Sequence, residues 1–170
     1  HHSRLSMWGA AVNVALGNIL LKGEAARFHG LEFANTPNET FDRLDAVVGV
    51  EYSGLSNTTL SLEAVDRRIL DYNEVLENAP DGQLEEVNQY ALSYRGSFLR
   101  EQLDLVAVLF LFGGRAEEGG VQRYSASYDL ADGLTLGSGV VIYQAGEGDS
   151  VLLEGAQDND RVFLDLKLDF

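Results

Sequence analysis

Ionic side chains of both signs recur along the chain inside alternating apolar segments: Lys22, Glu24, Asp45, Glu51, Glu63, Arg67, Arg95, Arg123, Asp129, Asp165 and Lys167. In an extended backbone, successive side chains point to opposite faces, so residues spaced this way share one side of a strand. A lane of such charges lining a wet interior can set a transverse field that sorts solutes by charge, with Arg67, Arg95 and Arg123 facing acidic residues across it. The same lane can equally be a set of mutually paired charges with no further role. Both readings predict that these residues are kept together, away from hydrocarbon.

Other chemistry finds little support. Apart from the terminal His1 and His2, the only imidazole is His29, and no Ser or Asp constellation is tied to it in the irregular stretch Arg27 to Gly30. A nucleophile needs an adjacent base, so the chain reads as having no catalytic residue and as not an enzyme. The segment from Gly146 to Asp160 carries Glu147, Asp149, Glu154, Asp158 and Asp160. Their spacing does not match an EF-hand loop, and a solvated acidic segment is the expectation, with no metal or cofactor. A formal charge of −15 supplies no basic patch to release counterions, which excludes nucleic acid as a partner. The absence of Cys removes disulfides and thiolate metal sites.

The elements that must position the charges alternate with a period of two. Val162, Leu164, Leu166, Leu168 and Phe170 alternate with Phe163, Asp165, Lys167 and Asp169. Leu44, Ala46, Val48, Val50 and Tyr52 oppose Asp45, Gly49 and Glu51, and Trp8, Ala10, Val12, Val14 and Leu16 oppose Gly9, Ala11, Asn13 and Gly17. Segments around residues 19–25, 60–67, 90–98, 103–111, 123–130 and 134–143 behave alike, although residues 105–112 are apolar on both faces. About nine strands are expected, several near the 9–11 residues that cross a bilayer at a tilt. No stretch approaches the roughly 20 apolar residues of a spanning helix. A mean hydropathy of −0.08 is what a membrane barrel shows when only every second residue meets lipid.

The connections carry the more specific signal. Gly17-Asn18, Gly54 to Asn57, Leu99 to Glu101 and Ala131 to Gly133 are short, whereas Asn35 to Asp42, Asp71 to Glu86, Gly113 to Gly120 and Gly146 to Asp160 are long and polar. Short and long alternate throughout, as periplasmic turns and extracellular loops do in outer-membrane barrels. On that basis the last strand runs towards the periplasm, and so does the first. Bacterial barrels have even strand numbers and begin in the periplasm, so at least one strand is expected upstream of residue 1. Trp8, Tyr52, Tyr90, Phe98, Tyr124 and Phe170 are expected as interfacial girdle residues.

The segment Arg161 to Phe170, ending in Phe with Leu164, Leu166 and Leu168 at alternate positions before it, resembles the C-terminal signal of Gram-negative outer-membrane β-barrel proteins. Many members carry Tyr where Leu168 stands. More narrowly, residues 17–33, with Leu-Leu-Lys-Gly-Glu-Ala at 20–25, and residues 47–54 resemble an uncharacterised proteobacterial outer-membrane family associated with exporters of the resistance-nodulation-division type. The resemblance implies an all-β, up-and-down transmembrane barrel spanning residues 1–170, the C-terminal part of a larger one, located in the Gram-negative outer membrane. It implies porin-like passage of small solutes or amphiphiles. The partners it implies are outer-membrane lipid, lipopolysaccharide, the barrel-assembly machinery through Leu164, Leu166, Leu168 and Phe170, and envelope transport proteins. Two alternatives stand beside it: a barrel with a blocked lumen that serves structure or interaction, and a soluble lipocalin-like binder of an apolar ligand.

Overall fold

A computed structural model describes residues 4–33, 36, 39–77, 83–147, 153 and 155–169. Nine strands follow one another: β1 (Ser6–Leu16), β2 (Ile19–Leu31), β3 (Phe41–Leu55), β4 (Thr58–Ile69), β5 (Glu86–Phe98), β6 (Leu103–Phe112), β7 (Gly119–Ala131), β8 (Leu134–Ala145) and β9 (Arg161–Leu168). Each pairs antiparallel with its sequence neighbours, giving one sheet in the order β1 to β9. The alternation of short and long connections is reproduced, and all the long ones leave the same end of the sheet.

The expected barrel is an open sheet. Among the described residues β1 pairs only with β2 and β9 only with β8. The reason is one of direction. In an up-and-down sheet of nine strands the two edges run the same way, so joining them would need a parallel pair where every other pair is antiparallel.

The short turns are made by local chemistry. Gly17 and Gly133 adopt φ of 60° and 72°, the left-handed conformation that two-residue hairpins demand. Between β5 and β6 three consecutive residues without that freedom, Leu99, Arg100 and Glu101, have φ of 54°, 62° and 69°. Such a run is strained for L-residues and is held by the pairing of the strands on either side.

Burial is concentrated at the long-connection end. Phe41, Ile69 and Leu76 are the buried hydrophobics among the described residues, with Phe33 and Tyr72 packed against them. Phe33 meets Phe41 edge to face at 5.7 Å. Leu76 lies in a one-turn helix, α1 (Glu74–Glu77), within a connection that the sequence reads as loop throughout. Asn73 Oδ1 accepts the Val75 amide at 3.1 Å and starts the turn. The Tyr72 hydroxyl donates to the Gln83 carbonyl at 2.7 Å and closes the connection on itself.

Two outcomes test this cluster. Leu76→Ala removes its most buried side chain and is expected to weaken it by about 2–5 kcal/mol. Hydrogen exchange should then quicken at residues 70–77 while the strand amides stay protected; equal loss in the strands would contradict a separate cluster. Burial, and then the carboxylates of Glu77 and Glu85, hold the Tyr72 phenol above its usual range. The closed connection therefore keeps this proton more tightly than the opened one. Its stability is complete below about pH 10 and falls as pH rises through and beyond that value. Tyr72→Phe should remove a phenol that ionises above the usual range from the ultraviolet tyrosinate curve.

Candidate functional site

Register divides the sheet into two faces. Rows of directly opposed residues, such as Leu21–Val50–Leu62–Leu92–Leu109, are apolar across the strands. The intervening rows hold the charges. Each of Lys22, Glu24, Asp45, Glu51, Glu63, Arg67, Arg95, Arg123, Asp165 and Lys167 falls on this second, ionic face, whereas Leu164, Leu166 and Leu168 fall on the apolar one. Phe170 lies outside the described residues.

The charges form clusters rather than a uniform lane. Lys22 Nζ stands 3.5 Å from Glu51 and 3.4 Å from Glu63, reaching a residue two strands away. It can do so because Gly49 lies between them in the same row, with no side chain to block the path. Asp45 receives Arg43 at 2.8 Å and Arg67 at 3.6 Å, while the Arg43 guanidinium also lies 4.6 Å over the Phe28 ring. Lys167 pairs with Asp169 at 2.8 Å, and Thr135 opposite it donates to Asp129 at 2.6 Å.

Of Arg67, Arg95 and Arg123, only Arg67 forms an ion pair within the sheet among the described residues. Arg95 and Glu24 form no ion pair with another described residue, and Arg123 lies 5.4 Å over the Phe163 ring, two strands away across Gly139. The carboxylates are instead gathered on β2, β3 and β4 or near the short turns. Period-two reading assigns the face but not the row, and the row decides the partner.

Between these groups the ionic face has a hollow of about 450 Å³. Lys22, Glu51 and Glu63 form one wall, Val108 and Phe110 the other, and Arg95 stands at its edge. Ser61 and Ser93, directly opposite each other, share a hydrogen bond of 2.6 Å on its floor. Such a surface can bind and orient polar solutes; no nucleophile–base pair lines it.

The apolar face becomes ionic only beside the long connections. Arg68 pairs with Glu86 at 2.7 Å there, and Asp42 receives Arg27 at 2.8 Å and His29 Nδ1 at 2.5 Å. Sequence reading tied no acid to His29. The missing signal was the register itself: continued one residue past Phe28–Arg43 it sets His29 against Asp42, just before the irregularity at Gly30, whose φ is 84°. Trp8, Tyr52, Tyr90, Phe98 and Tyr124 do lie on the apolar face, but Tyr124 is at mid-strand rather than near an end. In the last long connection Asp160 accepts the Tyr143 amide at 2.9 Å, while Asp149 and Glu154 lie outside the described residues.

The glycines of the ionic face yield a paired test. A Cβ on Gly49 meets the flexible Glu63 side chain at 3.0 Å, whereas one on Gly139 meets the Tyr124 carbonyl oxygen at 2.5 Å and the Phe163 ring. Gly49→Ala should fold and displace Glu63 from Lys22, whereas Gly139→Ala should lose about 1–3 kcal/mol in denaturant unfolding. Equal stability of the two variants would contradict the packing described. No family model, curated protein or solved structure matches the chain.

Proposed function

We propose that this chain forms part of a Gram-negative outer-membrane β-barrel that passes small solutes or amphiphiles along its ionic face without covalent chemistry. One observation carries the reading: the sheet is inside out. Along β3 the apolar residues Leu44, Val48, Val50 and Tyr52 are exposed, Val48 at 62%, while Arg43, Asp45 and Glu51 on the other face are half-buried. A protein stable in water covers a continuous apolar patch of this kind. Lipid can cover it equally well, and the ionic rungs beside the long connections then fall at headgroup depth.

The same arrangement supports the partners. The apolar face suits outer-membrane lipid, and the charges beside the long connections suit lipopolysaccharide. Leu164, Leu166 and Leu168, exposed on the free edge strand β9, are placed for the barrel-assembly machinery to grip. Association with an envelope export system belongs to the same proposal and draws on the resemblance at residues 17–33 and 47–54.

A blocked lumen is the second reading, and one feature favours it. Ile69 shares the ionic face, opposite Arg43, so the cluster of Phe41, Ile69 and Leu76 folds over the end of that face. Conductance separates the two readings. The barrel refolded in detergent from this chain together with the strands that complete it should migrate differently on a gel with and without heating and give ohmic openings in a planar bilayer. Silent insertion would favour the blocked form, and solubility without detergent would overturn both. If the Lys22 cluster lines the path, Glu51→Gln with Glu63→Gln should leave an unopposed cation there. The ratio of cation to anion permeability should then fall by roughly twofold or more.

A further inference from the structure

Strand β6 breaks the rule that the second face is ionic. Val106, Val108, Phe110 and Phe112 all lie on it, forming an apolar stripe along the middle of an otherwise polar surface. Phe110 is 45% exposed, so the stripe is open to whatever fills that space. Apolar side chains facing a wet interior are unfavourable unless something apolar covers them.

Two cations flank the stripe. Arg95 on β5 stands directly opposite Val106, and Arg123 on β7 directly opposite Val108. These strands lie on either side of β6, roughly 10 Å apart across the sheet. No carboxylate of the described residues comes within 4.0 Å of either guanidinium. Arg123 lies instead 5.4 Å over the Phe163 ring on β9, so its guanidinium leans away from the stripe and has to swing back towards β6 to share a group with Arg95. The other cross-strand neighbours of the stripe, Ser93, Ser125, Ala91, Val121 and Gln89, are uncharged, and Asp104, which precedes Val106 on the same face of β6, forms no ion pair with another described residue. Lys22, across the hollow, is paired with two glutamates, which leave that wall with one net negative charge and no cation free for an anion.

We propose that β6 and its flanking arginines form a binding strip for an amphiphilic organic anion: a carboxylate held by Arg95 and Arg123, with an apolar body laid along Val106, Val108 and Phe110. The inference rests on the reading above only in taking the ionic face as the path of passage. Purely inorganic anions leave the stripe uncovered, and neutral apolar molecules leave the arginines unused; a molecule with both parts satisfies both. The hollow beside the stripe, about 450 Å³, falls within the range of small-molecule sites.

Calorimetric titration of the detergent-refolded chain, against a blank of empty micelles, tests the strip. The probes are 4-phenylbutyrate for an aromatic body, octanoate for an aliphatic one, 4-phenylbutanamide for the neutral head and acetate for the head alone. Saturable binding of at least one amphiphilic acid is expected, about tenfold or more tighter than that of the amide or of acetate, as charge-assisted hydrogen bonds imply. The stronger of the two acids identifies the preferred body. Arg95→Gln with Arg123→Gln should lose about tenfold in affinity, and Phe110→Ala several-fold, whereas Arg67→Gln, whose partner is Asp45, should bind as the parent does. Equal affinity for acid and amide, an unaffected arginine double variant, or no saturable binding overturns the proposal. Heat-modifiable migration and conductance are recorded on the same samples. A conducting chain that binds no acid loses only the strip, whereas a chain that binds the acid while soluble without detergent keeps the strip and loses the channel.

Discussion

The backbone ladder between neighbouring strands is the interaction on which this structure depends. A one-layer sheet has no second layer to press against, and burial of hydrophobic side chains is confined to a small cluster at one end. Along the strands, order must therefore come from the hydrogen bonds of each antiparallel pair and from side chains of adjacent rows lying over one another. This is the condition under which a sheet tolerates lipid. Hydrocarbon offers backbone groups no partners, so every one must be satisfied within the sheet, and the side chains need only suit the medium they meet. The interior strands meet that condition, each being paired on both sides.

Glycine on the ionic face turns this ladder into a surface with chemistry. Gly49, Gly137 and Gly139 each stand in a row beside a large polar or aromatic residue: Glu63, Asp165 and Phe163. Where the side chain is missing, its neighbours lie across the backbone and meet groups two strands away. The contact of Lys22 with Glu63 and that of Arg123 with Phe163 both span such a gap. Charge pairing on this face is thus a property of rows, and a substitution in the middle strand acts on a contact to which it contributes no atoms.

Much of this was legible in the sequence, and what was not has definite causes. The strands, their faces and the alternation of connections follow from a strict period of two, which tolerates an error of a residue at either end. Leu44 and Asp45 are assigned to opposite faces whatever their partners. The pairing of Lys22 with two glutamates was hidden because it requires the register of three strands at once. The meeting of His29 with Asp42 was hidden because it requires the register of β2 on β3, which period two does not fix. The α1 turn sits in a polar connection and buries a single residue, Leu76, too little to show a period. The sheet is not closed into a barrel, and alternation, which specifies pairs, says nothing of a ring.

The two free edges narrow what can complete that ring. β1 is exposed along its whole length and carries neither charge nor proline from Leu5 to Leu16, so its edge has none of the features that keep strands from pairing. β1 and β9 run in the same direction. A second copy joined antiparallel through β1 would place its long connections on the opposite side of the sheet. One joined from β9 to β1 in the same orientation would make a parallel pair. Neither preserves the common orientation and antiparallel pairing of the nine strands. Under the proposed barrel, an element closing an antiparallel ring on this sheet would have to contribute an odd number of strands, the outermost running opposite to both β1 and β9, and to continue the apolar face from Trp8, Val12 and Leu16 to Leu164 and Leu166. Direction, face and parity are thus fixed by the sheet itself, whatever chain supplies the element.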